Sequence, residues 1–115
     1  MEGHQLIQQL AIKDIIIHFE RIFNLILPSQ VELLWRFKQK NVIGLGILEL
    51  EEYFNNLKLK VPLVFSNWTW QGYISFLYQE NLIAMPVNSN PAITEYGNAF
   101  LQYMLSMNYQ KFGDF

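Results

Sequence analysis

The chain contains no cysteine, so disulfides, thiol catalysis and thiolate metal sites are excluded, and a reducing, cytoplasmic setting is expected. Basic residues are scarce as well. Eight Lys and Arg face ten Asp and Glu, the net charge is −2, and no Lys or Arg falls between Lys60 and Lys111. A dedicated nucleic-acid binder carries a basic surplus, because neutralising phosphates supplies most of its affinity. His4 and His18 are the only histidines, and they are too far apart on one helix to form a metal-binding pair. The "GLG" at 44–46 is too short for a phosphate-cradling loop and no Lys follows it. Ser66, Ser75, Ser89 and Ser106 lack the setting of a nucleophile elbow, and Glu49, Glu51 and Glu52 read as a solvated helix face. No enzymatic activity, cofactor or metal is expected. Long apolar runs are missing too. Lys13, Asp14, His18, Glu20 and Arg21 interrupt the apolar N-terminal region, well short of the ~18 uninterrupted residues expected of a membrane span. The start is acidic and no small-residue cleavage site follows, unlike a secretory signal.

What is present is core material. Hydrophobic residues make up 51% of the chain and aromatics 16%, enough for one domain over 1–115. Residues 4–27 contain no Gly or Pro and predict a long helix. Its apolar positions Leu6, Leu10, Ile17 and Leu25 spread beyond one core face, so the helix is expected to bury a second side against another copy of the chain. Ser29 with Glu32 reads as a capping box opening a helix over 30–40, with Val31, Leu34, Trp35 and the stem of Lys38 facing the core and Asn41 as C-cap. Val42–Leu45 is expected as a short extended piece. A third helix, 47–57, carries a stripe of Leu48, Leu50, Tyr53, Phe54 and Leu57. Pro62 forbids helix through the following connection. Ser66 or Asn67 is expected to cap a helix over 68–80. Residues 81–87 then read as a strand, 88–90 as a turn and 91–93 as a returning strand. Thr94 caps a last helix over 95–108, with Ala99, Phe100, Tyr103, Met104 and Met107 at helical spacing.

Two patterns carry a resemblance. In "YISFLYQENLI", Leu77 is followed by polar residues and then Leu82-Ile83, with Asn81 at the left-handed helix terminus. In "ITEYGNAFLQYM", Thr94, Gly97, Phe100 and Leu101 follow a Leu-Thr-x-x-Gly-x-x-Phe type of pattern. At this separation the two segments resemble the recognition helix, wing and following helix of winged-helix proteins, bacterial regulators among them, over residues 29–107. The resemblance implies a mainly α fold with a small β-hairpin wing, here with an additional long N-terminal helix at 4–27.

In that family the third helix of the core and the wing commonly bind DNA. Counting from Leu77, Trp70 and Ile74 share its buried side, and the outward positions are Trp68, Gln71, Gly72, Ser75, Phe76 and Gln79. Gln71, Ser75 and Gln79 have base-edge chemistry. None of the six is a cation, nor is any residue of the wing tip Asn88-Ser89-Asn90. Lys58 and Lys60, just before this helix, are the nearest candidates for phosphate contact. Trp68, Gly72 and Phe76 recur every four residues and predict an exposed apolar patch of the kind that meets other proteins. The expected function is therefore a non-catalytic winged-helix protein acting through protein contacts and homodimerisation, its protein partner unspecified. The alternative is a DNA-binding transcriptional regulator with an N-terminal dimerisation helix. Peripheral membrane attachment through 4–27 is a further option, weakened by charges of both signs.

Overall fold

A computed structural model describes residues 2–85, 90–111, 113 and 115, with side-chain detail from Lys13 onward except at Val42. Six helices and a two-stranded antiparallel sheet follow one another: α1 Glu2–Leu25, α2 Pro28–Lys40, a 3₁₀ turn Asn41–Ile43, α3 Ile47–Lys60, a short α4 Pro62–Phe65, α5 Trp70–Gln79, β1 Ile83–Ala84, β2 Ala92–Ile93 and α6 Glu95–Ser106. The strands pair Ile83 with Ile93 and Ala84 with Ala92. The fold is thus mainly helical with a small hairpin. The expected turn at 88–90 falls largely outside the described residues.

Several local expectations are corrected. Ser29 does not cap α2. Leu27 is the N-cap, Pro28 takes the first helical position, and Ser29 and Gln30 are buried inside the first turn. Proline fits there because its missing N–H is one of the unpaired donors at a helix start. The same chemistry corrects 58–65: α3 runs on to Lys60, and Pro62 starts the short α4 instead of preventing helix. Residues 42–45 begin with a 3₁₀ turn, although the Leu45 N–H donates to the Pro91 carbonyl at 2.9 Å and so ties this connection to the hairpin.

Periodicity locates the core faces, with some errors. On α2, Leu33 and Phe37 join Val31 and Leu34 in the core, whereas Trp35 is half-buried. Leu48 of α3 is 79% exposed and Met107 is exposed, while Leu101 of α6 is buried. The buried residues form one cluster drawing on every helix. It holds Phe19 and Ile22 of α1, Phe54 of α3, Phe65 of α4, Tyr73 and Leu77 of α5, and Phe100 of α6.

The two resemblance-bearing segments have direct physical causes. Asn81 sits at φ +60°, its N–H bonds to Tyr78 O, and the Leu82 N–H bonds to Leu77 O at 2.9 Å. This is a Schellman ending for α5, which satisfies its last carbonyls and turns the chain into β1. Thr94 Oγ1 accepts from the Gly97 N–H at 2.8 Å and donates to Asn81 O at 2.6 Å, so one side chain caps α6 and holds it to the α5 terminus. Gly97 is required by that approach: a Cβ there would lie 2.2 Å from Leu82 O.

Gly97→Ala is therefore expected to destabilise the fold by about 2 kcal/mol or more, read from denaturant unfolding. A stability unchanged from the parent chain would refute the close-packing argument. A second expectation concerns alkaline pH. Burial, more than any other effect, pushes the Tyr73 and Tyr53 phenols well above their usual value of 10.0. The folded state thus holds these protons more tightly than the unfolded chain does. Their contribution to stability is intact below about pH 10 and is lost as pH rises beyond it. Phenolate absorbance and far-ultraviolet dichroism followed together should show these two tyrosines ionising only as helix is lost.

Candidate interaction surface

The short α4 and its turn decide where α5 begins. The Trp68 N–H donates to Phe65 O at 3.0 Å, which folds residues 66–68 back over α4. Thr69 then caps α5, its Oγ1 accepting from the Gly72 N–H at 3.1 Å. Neither Ser66 nor Asn67 caps this helix, and Trp68 lies before it. The Trp68 ring packs edge-on against Phe65 at 5.4 Å and remains 39% exposed.

The buried side of α5 is Tyr73, Ile74 and Leu77. Trp70 and Phe76 are half-buried and packed against the core. Trp68, Gly72 and Phe76 therefore do not form the expected helical stripe: Trp68 precedes the helix and Phe76 is half-buried. Gln71, Gly72 and Gln79 are exposed. Ser75 is half-buried and its hydroxyl donates to Gly72 O at 2.7 Å, so its donor is directed back at its own helix.

An open cleft of about 340 Å³ takes the place of the stripe. Trp70, Ile74 and Tyr78 of α5 form one wall, with Gln71, Ser75 and Gln79 alongside, and Ile47, Met85 and Pro91 form the other. Among the described residues, no charged side chain lines it. Ile47 and Met85 are 50% and 57% exposed, so the apolar lining continues onto the surface. The cleft exists because α5, the start of α3 and the hairpin meet there. Such a convergence of distant segments has no signature in local spacing.

The two candidate phosphate-contact lysines are engaged elsewhere. Lys58 Nζ lies 3.4 Å from Trp68 O and 6.0 Å from the Phe54 ring centroid. Lys60 lines a separate groove between α2 and α3, together with Trp35, Glu52 and Tyr53. Neither lines the cleft.

At its other end α5 meets α1. Glu80, the charge at the end of the 66–83 segment, accepts from Arg21 Nη2 at 3.0 and 3.2 Å, and His18 Nε2 lies 3.1 Å away. Phe19 sits among Tyr96, Phe100 and Tyr103 at centroid distances of 5.0, 5.5 and 5.3 Å. Phe23 stacks on Tyr109 at 4.6 Å. Before His18 the described side chains of α1, from Lys13 to Ile17, are all exposed. Of the expected dimer positions, Ile17 and Leu25 are exposed at 68% and 57%, while the side chains of Leu6 and Leu10 lie outside the described residues. Ile15 and Ile16, not singled out by the spacing, are exposed too.

Among the described residues, no three His, Asp or Glu side chains gather as metal ligands, and no helix is long and apolar enough to cross a membrane. No family model matches the chain, and no curated protein or solved structure matches it.

The partial burial of Phe76 against the core has a measurable consequence. Phe76→Ala is expected to cost about 2 kcal/mol or more of stability, while Gln71→Ala and Gln79→Ala stay within about 0.5 kcal/mol. Equal effects at the three positions in thermal unfolding would contradict this placement.

Proposed function

We propose that the chain is a non-catalytic winged-helix domain that works by contacting other protein surfaces, including a second copy of itself through α1. The winged-helix reading is supported by the order of α2, α3, α5, hairpin and α6, and by the main-chain bond from Leu45 to Pro91 beside the hairpin. The Schellman end of α5 and the Thr94–Gly97 cap supply the two patterns on which the resemblance rests.

One observation carries the functional reading. The side of α5 that the family uses for DNA is bordered here by an uncharged apolar cleft, with no Lys or Arg between Lys60 and Lys111. A surface that neutralises phosphates needs cations. One made of half-exposed Trp, Tyr, Ile and Met has the composition of a protein interface. The exposed Ile15–Ile17 segment of α1 supports self-association in the same way. The cysteine-free composition suits a reducing, cytoplasmic setting.

A DNA-binding regulator is the second reading. It is favoured by the exposed amides of Gln71 and Gln79, which match the hydrogen-bonding edge of adenine, and by Lys58 near the start of α5. Titration of a generic duplex over a series of salt concentrations separates the two. The protein-contact reading expects no measurable binding at low salt. Binding whose logarithm falls steeply with the logarithm of salt, by ~0.9 per phosphate contacted, would replace it with the regulator reading.

A further inference from the structure

The chain turns back on itself after α6. Asn108 adopts φ +56°, its N–H bonds to Leu105 O, and the Tyr109 N–H bonds to Met104 O at 2.8 Å. This second Schellman ending carries the residues beyond α6 onto α1. Tyr109 lands on the docked part of that helix. Its ring stacks on Phe23 and its hydroxyl donates to Glu20 Oε1 at 2.7 Å, while Tyr103 of α6 meets it edge-on at 5.9 Å. Lys111 Nζ lies 4.8 Å from the centroid of the same Phe23 ring. Glu20 and Phe23 are neighbours on the helix surface, so one short segment grips one turn of α1.

This grip differs in kind from the joints elsewhere in the molecule. Main-chain groups help tie the other elements together: Leu45 to Pro91, Thr94 to Leu82, β1 to β2, and Tyr73 O to the Gln30 amide. Among the described residues, no backbone–backbone hydrogen bond joins α1 to another element. Side chains hold it instead: Phe19 among rings of α6, Arg21 and His18 at Glu80, and Glu20 and Phe23 at Tyr109. A unit held in that way can open without breaking the hydrogen bonds of its neighbours. We propose that α1 opens from the body as a unit while α2 to α6 stay folded, and that Tyr109 is the latch that sets how often it does so. Opening bares Phe19 and Ile22, both buried when α1 is docked. The latch lies within one chain, so it stands whether or not α1 also binds a second copy.

Amide hydrogen exchange tests this on the full chain, diluted until the rates no longer depend on concentration. The amides of residues 19–25 are expected to be less protected than those in the middle of α2, α5 and α6. Tyr109→Ala removes a ring stack and a hydrogen bond together. It is expected to speed exchange in α1 about tenfold, while α2 and α5 change by less than about twofold. Tyr109→Phe keeps the stack and loses only the hydrogen bond, so a smaller and equally local increase is expected. Protection of α1 equal to that of the core would overturn the latch. So would an increase shared equally by all helices, or α1 rates untouched by both Tyr109 variants.

Discussion

The arrangement of the helices depends on a buried polar junction at the start of α2. Ser29 and Gln30 are the buried polar side chains among the described residues. Gln30 uses both ends of its amide: Oε1 accepts from the Leu27 N–H, and Nε2 donates to Tyr73 O, each at 2.9 Å. Ser29 accepts from the Tyr73 hydroxyl and donates to Phe115 O, while its own carbonyl accepts from the Tyr53 hydroxyl at 2.8 Å. A buried polar group left without its partner costs about 1–3 kcal/mol, so these groups tolerate few alternative arrangements. Hydrogen bonds are directional, whereas apolar packing is not. The junction therefore sets the rotation of α5 about its axis, which the surrounding core alone would leave looser. That rotation buries Tyr73, Ile74 and Leu77 and leaves Trp70, Phe76 and Tyr78 half-buried at the edge of the core.

This dependence explains which features were legible in the sequence. Helical spacing located α1, α2, α3, α5 and α6, and the turn chemistry of Asn81 and Thr94 marked the two ends of the hairpin region. Those signals are local. Each acts through hydrogen bonds within a few residues, such as Asn81 to Tyr78 or Gly97 to Thr94. Tyr73, fully buried, was not distinguishable from Tyr78 by spacing, because its partner Ser29 comes from another helix. The pairing of Glu80 with Arg21 and His18 has no signal in local spacing, since both partners are distant in sequence. Trp68 was assigned to the helix because Ser66, Asn67 and Thr69 are all good capping residues. Competition among three adjacent caps was decided by the turn after α4, which spacing does not report.

The two parts of α1 illustrate how one helix can serve different ends. From Phe19 onward it is held by aromatic rings of α6 and by Tyr109, with the Tyr109 hydroxyl donating to Glu20 at 2.7 Å. The side chains of Lys13 to Ile17, just before this part, are exposed. Helix propensity alone is weak in an isolated segment, so the docked part supplies the nucleus on which the exposed turns extend. The principal extents of 54 × 33 × 22 Å fit a body with a projecting arm, α1 alone measuring about 36 Å.

The Glu80 ion pair links that arm to the surface of α5. The Arg21 guanidinium offsets the carboxylate at the end of α5, and the rest of the helix carries no charge. The same contact that docks α1 thus leaves the cleft side with little field of its own. In the proposed protein-contact role, a surface of this kind would select partners by shape and apolar area. It lacks the long-range attraction that speeds encounters between oppositely charged surfaces, so association in that proposed role would be governed by how long correctly seated complexes persist. Salt should then matter little to affinity at this face and much more to the Glu80–Arg21 pair, which is partly open to solvent. Loss of that pair would first loosen the hold of α1 on the end of α5, before it disturbed the core beneath.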